Sequence, residues 1–575
     1  MAGRKKAVEV KNIVGENVIQ EIGKKEIISR IIPMNEVIKR LKTEVVSFKE
    51  VEEDSETIDI IKGGSYQECY MKYLREKPLY KRSTHTLNTV GLSEDNTIYC
   101  IMGTLIGNVV LIEKNTGAFR VGEAEMSKSS MTSLVFANVS TDSNLNNSVM
   151  TNLENDSEDK IEENSISSKP MLLVRGGIPT EPWLRGKELS LKNYDEQKVE
   201  KVPLEYPTLV FEEIMGISDI DNTIQYIKQI TESGRFLKHN QVITKTETSF
   251  LFVANNYMKG YNLQSYTLDK LFSRLPKIFL EDEAIFHRYP FIIPHYKKTF
   301  GEIKFVNNDT TGIYIEDFAR VLKELKEKKC LINLEKYNLK NRQLRNFYKG
   351  ISSFIKIVYP ESVIKENAVP EWVIDGVFEF VKHFNSFTLN KEVYNPFNTN
   401  SAKFIAEMSG FSIEKIEWVM FDEERILIKN FGEDIVHKIG LTGYGIEQNI
   451  KEYAYYQENP ENILDITFLS EEGKHMKQKA EDLYSEDIIW IGGNKKITDD
   501  DFNKWTIKKI EEGSFNERFD VFKGIPDFFV KIAEIETKRI FQCSNPQVTK
   551  KNFVLIDGEI KFVNFSKFIR EDNEE

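Results

Sequence analysis

The sequence predicts an α/β fold built on an open parallel sheet. Two apolar runs of β type support this: residues 209–211 end in Glu212 and Glu213, and residues 250–254 end in Asn255. In an open parallel sheet, the carboxyl ends of the strands border the crevice in which ligands bind. Two neighbouring core strands with polar groups at these ends therefore predict a nucleotide-binding sheet.

Length and composition predict a large cytoplasmic protein of three or four domains. The chain has 575 residues, more than a single hydrophobic core usually spans. Its four cysteines lie far apart without a C-x-x-C pair, so neither a disulfide framework nor a zinc knuckle is expected. We expect no membrane span or signal peptide, because no apolar run approaches the roughly 20 residues of a span. The formal charge of −12 restricts any nucleic-acid contact to a local basic strip.

A phosphate-binding loop is predicted where the segment 97–121, which is rich in β-type residues, leads into GEAEMSKS. In the motif G-x-x-x-x-G-K-[ST], backbone amides surround the phosphates, the lysine reaches the terminal phosphates and the hydroxyl holds Mg²⁺. Gly122, Lys128 and Ser129 match this motif, whereas Ser127 replaces its second glycine. The spacing alone leaves open a second interpretation, a polar turn before a helix.

The two glutamates after residues 209–211 fit separate roles in ATP hydrolysis. The first position helps to hold Mg²⁺ and is usually an aspartate, so Glu212 is one methylene longer than the usual ligand. The second position orients or deprotonates the attacking water, a role that Glu213 fits without change. Asn255 is then the polar sensor between the two strands. The alternative is a solvated pair of glutamates at a strand end.

A helix and a β-hairpin are predicted between these two strands. Residues 221–233 have helical spacing, with isoleucines at 224, 227 and 230. The following GRFLKHNQVITKTETSF is typical of a hairpin, and it brings Lys238 and His239 near the tip.

The span from about Gly122 to Pro360 resembles the AAA+ module of the Lon-related proteins of BREX phage-defence systems, which are similar to minichromosome maintenance helicases. The matching segments are GEAEMSKS, LLVRGG, LVFEEIMGI, TESGRF, FLFVANN, LFSRLPKIF with DEAIFHRYPFIIP, and NRQLRNFYKGISSFIKIVYP. The resemblance implies an AAA+ parallel sheet of the P-loop type with a helical lid, ATP and Mg²⁺ as cofactors, and a homo-oligomeric ring that engages double-stranded DNA in anti-phage defence. In such a ring the hairpin would face a central pore, which makes Lys238 and His239 the candidate DNA contacts, because a few cations repeated around a ring add up on a phosphate backbone.

The resemblance also implies roles for two arginines. Arg288 matches the arginine that reaches a neighbouring subunit's phosphate, and Arg342 matches the one that senses the γ-phosphate from the lid. The alternative for each is a surface arginine in a solvated loop or helix.

The predicted domains are an N-terminal α+β domain at 1–92, the AAA+ α/β core at 93–300, a helical lid at 301–390 and a C-terminal α/β or α+β domain at 401–575. Residues 139–169 are rich in Ser, Asn, Asp and Glu, which predicts a disordered insertion within the core. For the C-terminal domain the sequence predicts binding of a protein partner or a role in assembly.

Two further functions stay open. Ser127 and Glu212 both depart from the motifs at the phosphates and the metal, which favours a scaffold that binds ATP without cleaving it and recruits a partner. An unfoldase would need an aromatic-hydrophobic pore loop, and the hairpin tip instead contains Leu-Lys-His-Asn. The Ser-Ala-Gly tripeptide of the related peptidases does not occur in this chain, so we expect no protease.

Overall fold

The computed structural model describes residues 97–122, 171–174, 180–186, 202–212, 220–238, 242–255, 278–295, 326–359, 363, 369–389, 394–471, 473–480, 487–491, 525–556 and 559–569. The domain predicted at 1–92 and the insertion predicted at 139–169 lie outside these ranges. The chain forms two compact units. One includes Cys100–Pro396, and the other joins Thr97–Tyr99 to Phe397–Glu575.

A five-stranded parallel sheet organises the first unit. The strands of this unit are β1 Gly117–Gly122, β2 Met171–Val174, β3 Thr208–Glu212, β4 Arg235–Leu237, β5 Ile243–Lys245, β6 Ser249–Asn255 and β7 Phe291–His295. The sheet has the order β2-β3-β6-β1-β7, and each neighbouring pair is parallel. The predicted pairing of the strands at 209–211 and 250–254 is confirmed. Strands β4 and β5 form a separate antiparallel hairpin, as predicted.

Helices cover both faces of this sheet. They are α1 Ile98–Gly107, α2 Val109–Ile112, α3 Glu181–Leu184, α4 Ile220–Ser233, α5 Ile278–Glu281, α6 Glu283–Arg288, α7 Asn341–Val358 and α8 Glu371–Leu389, with 3₁₀ helices at Pro203–Glu205 and Glu335–Tyr337. The β-type interpretation of 97–121 was wrong for all but its last residues, since α1 and α2 precede β1. A continuous apolar run does not distinguish a buried strand from a helix buried on all sides.

An aromatic core lies on the face that α4 and α6 cover. The Phe119 and Phe252 rings stack with centroids 4.9 Å apart, and Tyr289 packs edge-on at 5.3 Å from Phe252. The predicted helix after β3 is confirmed, and its three isoleucines are buried in this core. At Gly117, a Cβ would lie 2.1 Å from a ring carbon of Tyr289, so the close approach of this ring to β1 requires glycine.

The other face is covered by α1, α2, α7 and α8. Phe291 of β7 packs on Gly350 of α7, where a Cβ would lie 2.8 Å from the phenyl ring. Beneath α7, the buried Lys356 Nζ lies 2.9 Å from Glu113 Oε1, which also accepts a 2.7 Å hydrogen bond from Ser352. Helices α7 and α8 fall within the range predicted for the lid, and here they pack on the sheet in one unit with it.

The second unit is α+β. Its elements are helices α9 Ala402–Met408, α10 Gly443–Glu458 and α11 Ile525–Phe541; strands β8 Ile416–Asp422, β9 Arg425–Asn430, β10 Ile435–Gly440, β11 Ile466–Leu469, β12 His475–Lys479, β13 Ile489–Trp490, β14 Phe553–Ile556 and β15 Glu559–Phe562; and 3₁₀ helices Ile413–Lys415, Pro460–Asn462, Lys550–Asn552 and Ser566–Phe568. An antiparallel sheet has the order β11-β12-β10-β9-β8-β13, and β14 pairs with β15 in a separate antiparallel two-stranded sheet.

A buried network of charges joins α10 to this antiparallel sheet. Arg425 forms ion pairs with Asp422 and with Glu452, whose carboxylate also accepts a bond of 2.9 Å from Lys438. The charges of Arg425 and Lys438 outweigh the effect of burial and lower the pKa of Glu452 to about 2. Two cations and two anions balance here, which is the condition under which buried charges are tolerated.

Candidate functional site

Three positions predicted for the nucleotide site end neighbouring strands at the carboxyl edge of the parallel sheet. Strand β1 ends at Gly122 and β6 ends at Asn255, and these two residues are direct partners in the parallel register. Strand β3 ends at Glu212, opposite Val253 of β6. Lys128, Ser129, Glu213 and His239 lie outside the described residues, and the structure describes Glu212 and Asn255 by their backbone alone.

The strand order makes this edge a suitable site for a nucleotide. From β1 the chain crosses to β2 at the far side of the sheet, whereas β7 pairs on the other side of β1. Ligands bind beyond the carboxyl ends of strands where the connections diverge in this way. The residue types of Glu212 and Asn255 at this edge fit Mg²⁺, since carboxylate and amide oxygens are ligands that Mg²⁺ accepts. A bound Mg²⁺–ATP would supply the phosphoryl group and the charge neutralisation for hydrolysis.

Arg288 lies at the opposite, amino edge of the sheet. It ends α6, three residues before β7, and β7 begins at Phe291 beside Ala118 and ends at His295 beside Gly122. Four residue steps along a strand span about 13 Å, and Arg288 precedes the first of them. This arginine therefore does not reach the carboxyl edge of its own sheet.

Contacts at both ends of α6 fix Arg288. Asp282 caps the helix by accepting a 2.9 Å bond from Ala284 N, and Gln225 and Lys228 of α4 bind the same carboxylate. Burial alone would raise the pKa of Asp282, but these bonds hold it below its ordinary value. At the other end, the buried Tyr289 hydroxyl lies 3.1 Å from Thr231 Oγ1. The backbone that carries Arg288 is thus tied to α4.

The guanidinium of Arg288 is held by contacts within its own chain. Its Nη1 donates to Ala284 O at 2.9 Å, and its Nη2 forms an ion pair with Glu232 in the last turn of α4. The Nε is buried without a hydrogen-bond partner among the described residues. The side chain is only 16% exposed, so an incoming anion would have to approach from one side.

Two more arginines surround the same carboxylate. The hydrogen bond and the charge of Arg288 lower the pKa of Glu232, and the charges of Arg342 and Arg345 lower it further. Both of these residues are exposed in the first turns of α7, and Asn346 in the same helix donates to His287 O at 3.0 Å. The first turn of α7 has no acidic residue, although the helix dipole there favours anions over cations.

The sequence predicted roles for Arg288 and Arg342 but none for Glu232 or Arg345. The structure pairs Arg288 with Glu232 at the amino edge, and the charge of Arg342 also lowers the pKa of this carboxylate. Glu232 gave no signal of its own, because an acidic residue near the end of an amphipathic helix is usually solvated. The spacing of Arg342 and Arg345 by three residues on one helical face was the one available indication.

The β4–β5 hairpin carries exposed cations in addition to the predicted Lys238 and His239. Lys238 forms an ion pair with Glu205. Arg235 and Lys245 are direct cross-strand partners, both exposed, and neither makes a salt bridge within the described residues. Val242 and Ile243, beside them toward the tip, are 52% and 70% exposed. Like charges directly opposite each other destabilise a hairpin, unless an anion binds them.

Other classes of site find little support in the described residues. No group of three or more His, Cys, Asp or Glu side chains there could hold a metal ion. Ser401, the residue nearest in context to a peptidase serine, is buried and bonds to the backbone of Asn398. No helix in the described ranges combines the length and the apolar character needed to cross a membrane.

Residues 171–390 match a family model described as "Lon-like protease BrxL-like, ATPase domain". The resemblance drawn from the sequence is therefore confirmed over this span, which is similar to a BrxL-like AAA+ module and includes Arg288 and Arg342. The match begins after Gly122, Lys128 and Ser129, so the phosphate loop remains a prediction from the motif and from the end of β1. No curated protein matches the chain.

Proposed function

We propose that the protein is a ring-forming AAA+ ATPase whose nucleotide site is shared between subunits. Lys128 and Ser129 would bind the phosphates and Mg²⁺ together with Glu212, and Glu213 would orient the attacking water beside Asn255. Arg288 of a neighbouring subunit would complete the site, with Arg342 beside it. An arginine supplied in this way stabilises the charge that develops on the γ-phosphate.

The observation that carries this proposal is the location of Arg288. It lies at the amino edge of the sheet with two further arginines, about 13 Å or more from the carboxyl edge of the same sheet. An arginine cluster that cannot serve the site in its own chain is suited to the site of another copy. The similarity of residues 171–390 to an ATPase domain supports ATP as the ligand.

We further propose that the ring engages double-stranded DNA in anti-phage defence, with the β4–β5 hairpin facing the central pore and Lys238 and His239 near its tip. The exposed cations on this hairpin support the contact. The cytoplasm is the compartment that this role requires.

Steady-state ATP turnover tests the proposal, measured with and without duplex DNA. We expect turnover that Arg288→Ala lowers by about 10³-fold while ATP affinity changes little. Loss of ATP affinity in this variant, or unchanged turnover, would contradict a trans-acting arginine.

A second candidate function is a nucleotide-gated scaffold that binds ATP and recruits a partner through the C-terminal unit. Ser127 in place of glycine and Glu212 in place of aspartate favour it. ATP binding by calorimetry without turnover in the parent protein, with or without DNA, would select the scaffold.

A further inference from the structure

Glu232 is the counter-ion of Arg288, and the contacts of this pair bear on the orientation of the Arg288 guanidinium. The carboxylate belongs to the last turn of α4, whereas the guanidinium belongs to the last turn of α6. Since the Arg288 Nη1 bonds only within its own helix, Glu232 is the described group that fixes the guanidinium from outside α6. The orientation of the Arg288 guanidinium therefore depends on one carboxylate outside its own helix.

Two further arginines act on the carboxylate that binds Arg288. Arg342 and Arg345 are exposed and make no salt bridge within the described part of the chain, yet both act on Glu232 through their charge. Like charges repel each other, and an anion near them offsets that repulsion. Without Glu232, we expect the three arginines to move apart.

We infer that Glu232 is a positioning residue for the shared nucleotide site, holding Arg288 in the orientation from which it meets the neighbouring subunit's γ-phosphate. This inference rests on the proposed function. When Arg288 turns to the phosphate, Arg342 and Arg345 remain beside Glu232, so the exchange does not leave the carboxylate without a cation. A phosphate oxygen replaces the carboxylate as the acceptor for Nη2.

The first test measures the position of Arg288 directly, without nucleotide. Phenylglyoxal modifies accessible arginines, and mass spectrometry reports the rate at each site. We expect Arg288 to react severalfold faster in Glu232→Gln than in the parent, because the ion pair no longer shields it. Arg539, exposed in the second unit, is the internal reference and should react equally in both proteins.

The second test measures ATP turnover. Glu232→Gln should lower kcat by roughly 10²-fold, the order expected for a misplaced catalytic group, with little change in KM for ATP. Glu232→Asp keeps the charge and should recover part of the rate. In an Arg288→Ala background, Glu232→Gln should cause no further loss. Asp221→Asn, at the other end of α4, is the matched control and should leave kcat unchanged.

Each outcome decides the inference. Faster modification of Arg288 together with a non-additive loss of kcat supports it. Unchanged reactivity of Arg288, or equal losses in the parent and the Arg288→Ala background, overturns it while the shared site stands. If the parent neither assembles with ATP nor turns it over, the proposed function fails and the inference falls with it, and the parent measurements alone reveal that case.

Discussion

His383 of α8 is a buried imidazole whose Nδ1 hydrogen-bonds to the backbone carbonyl of Tyr394. Burial lowers the pKa of His383 to about 4 from its ordinary 6.5. The unfolded chain therefore takes up a proton between these values that the folded chain does not, and stability falls as the pH falls through this window, by up to about 3 kcal/mol. Urea unfolding at about pH 7.5 and at about pH 4.5 measures this loss of stability. We expect the loss between the two pH values to be smaller in His383→Gln than in the parent protein. Equal losses would contradict this account.

Lys356 of α7 offers a second prediction for a single residue. Its side chain is 2% exposed, and it is the described cation that pairs with the Glu113 carboxylate. Lys356→Met should destabilise the first unit by about 3–5 kcal/mol, because it leaves a charge buried and unpaired. Lys336→Met removes a 38% exposed lysine from its salt bridges with Glu371 and Asp375 and should cost less than about 1 kcal/mol. If urea unfolding gave comparable losses of stability for Lys356→Met and Lys336→Met, Glu113 would have found another partner or become protonated.

Among the elements, the β4–β5 hairpin allows its cations to be ranked by their expected contribution to DNA binding. The ion pair of Lys238 with Glu205 reduces its availability to a phosphate, whereas Arg235 and Lys245 stand exposed and opposed. We expect Arg235→Ala and Lys245→Ala to weaken DNA binding and to lower the slope of log K against log salt by about 0.9 for each phosphate that the variant no longer neutralises. Lys238→Ala is the matched control, with a smaller expected change. A larger effect at Lys238 would mean that DNA displaces Glu205.

The sequence predicted the parallel sheet better than the helices before it. Strands β3 and β6 were recognisable because apolar runs end in polar residues. Helices α1 and α2 were mistaken for strands, since a segment that is buried on every side loses the periodicity that distinguishes the two. The pairing of Arg288 with Glu232 could not be predicted, because the two residues are 56 positions apart in the sequence and lie at the ends of different helices. Lys238 was recognisable as a cation near a hairpin tip, but its ion pair depends on Glu205 in the distant 3₁₀ helix Pro203–Glu205.

For the whole molecule, the two edges of the sheet divide the proposed chemistry. The carboxyl edge carries the ends of β1, β3 and β6, and the amino edge carries the arginines around Glu232. In one chain, the two halves of the proposed site lie at opposite edges of the sheet, so a single copy would hold no complete site. If the proposed site is correct, we expect assembly to depend on nucleotide, because ATP would bring the two halves into contact.

Mixing two inactive variants tests this division. Lys128→Ala should remove a cation from the phosphates and weaken ATP binding, whereas Arg288→Ala should leave binding intact and abolish most turnover. In a mixed ring, an Arg288→Ala subunit that binds ATP can lie beside a Lys128→Ala subunit that still supplies its arginine. We therefore expect the mixture to recover part of the activity that each variant lacks alone, measured as ATP turnover against the ratio of the two. A mixture no more active than its components, although light scattering shows mixed assemblies, would place the arginine and the lysine in sites that do not meet.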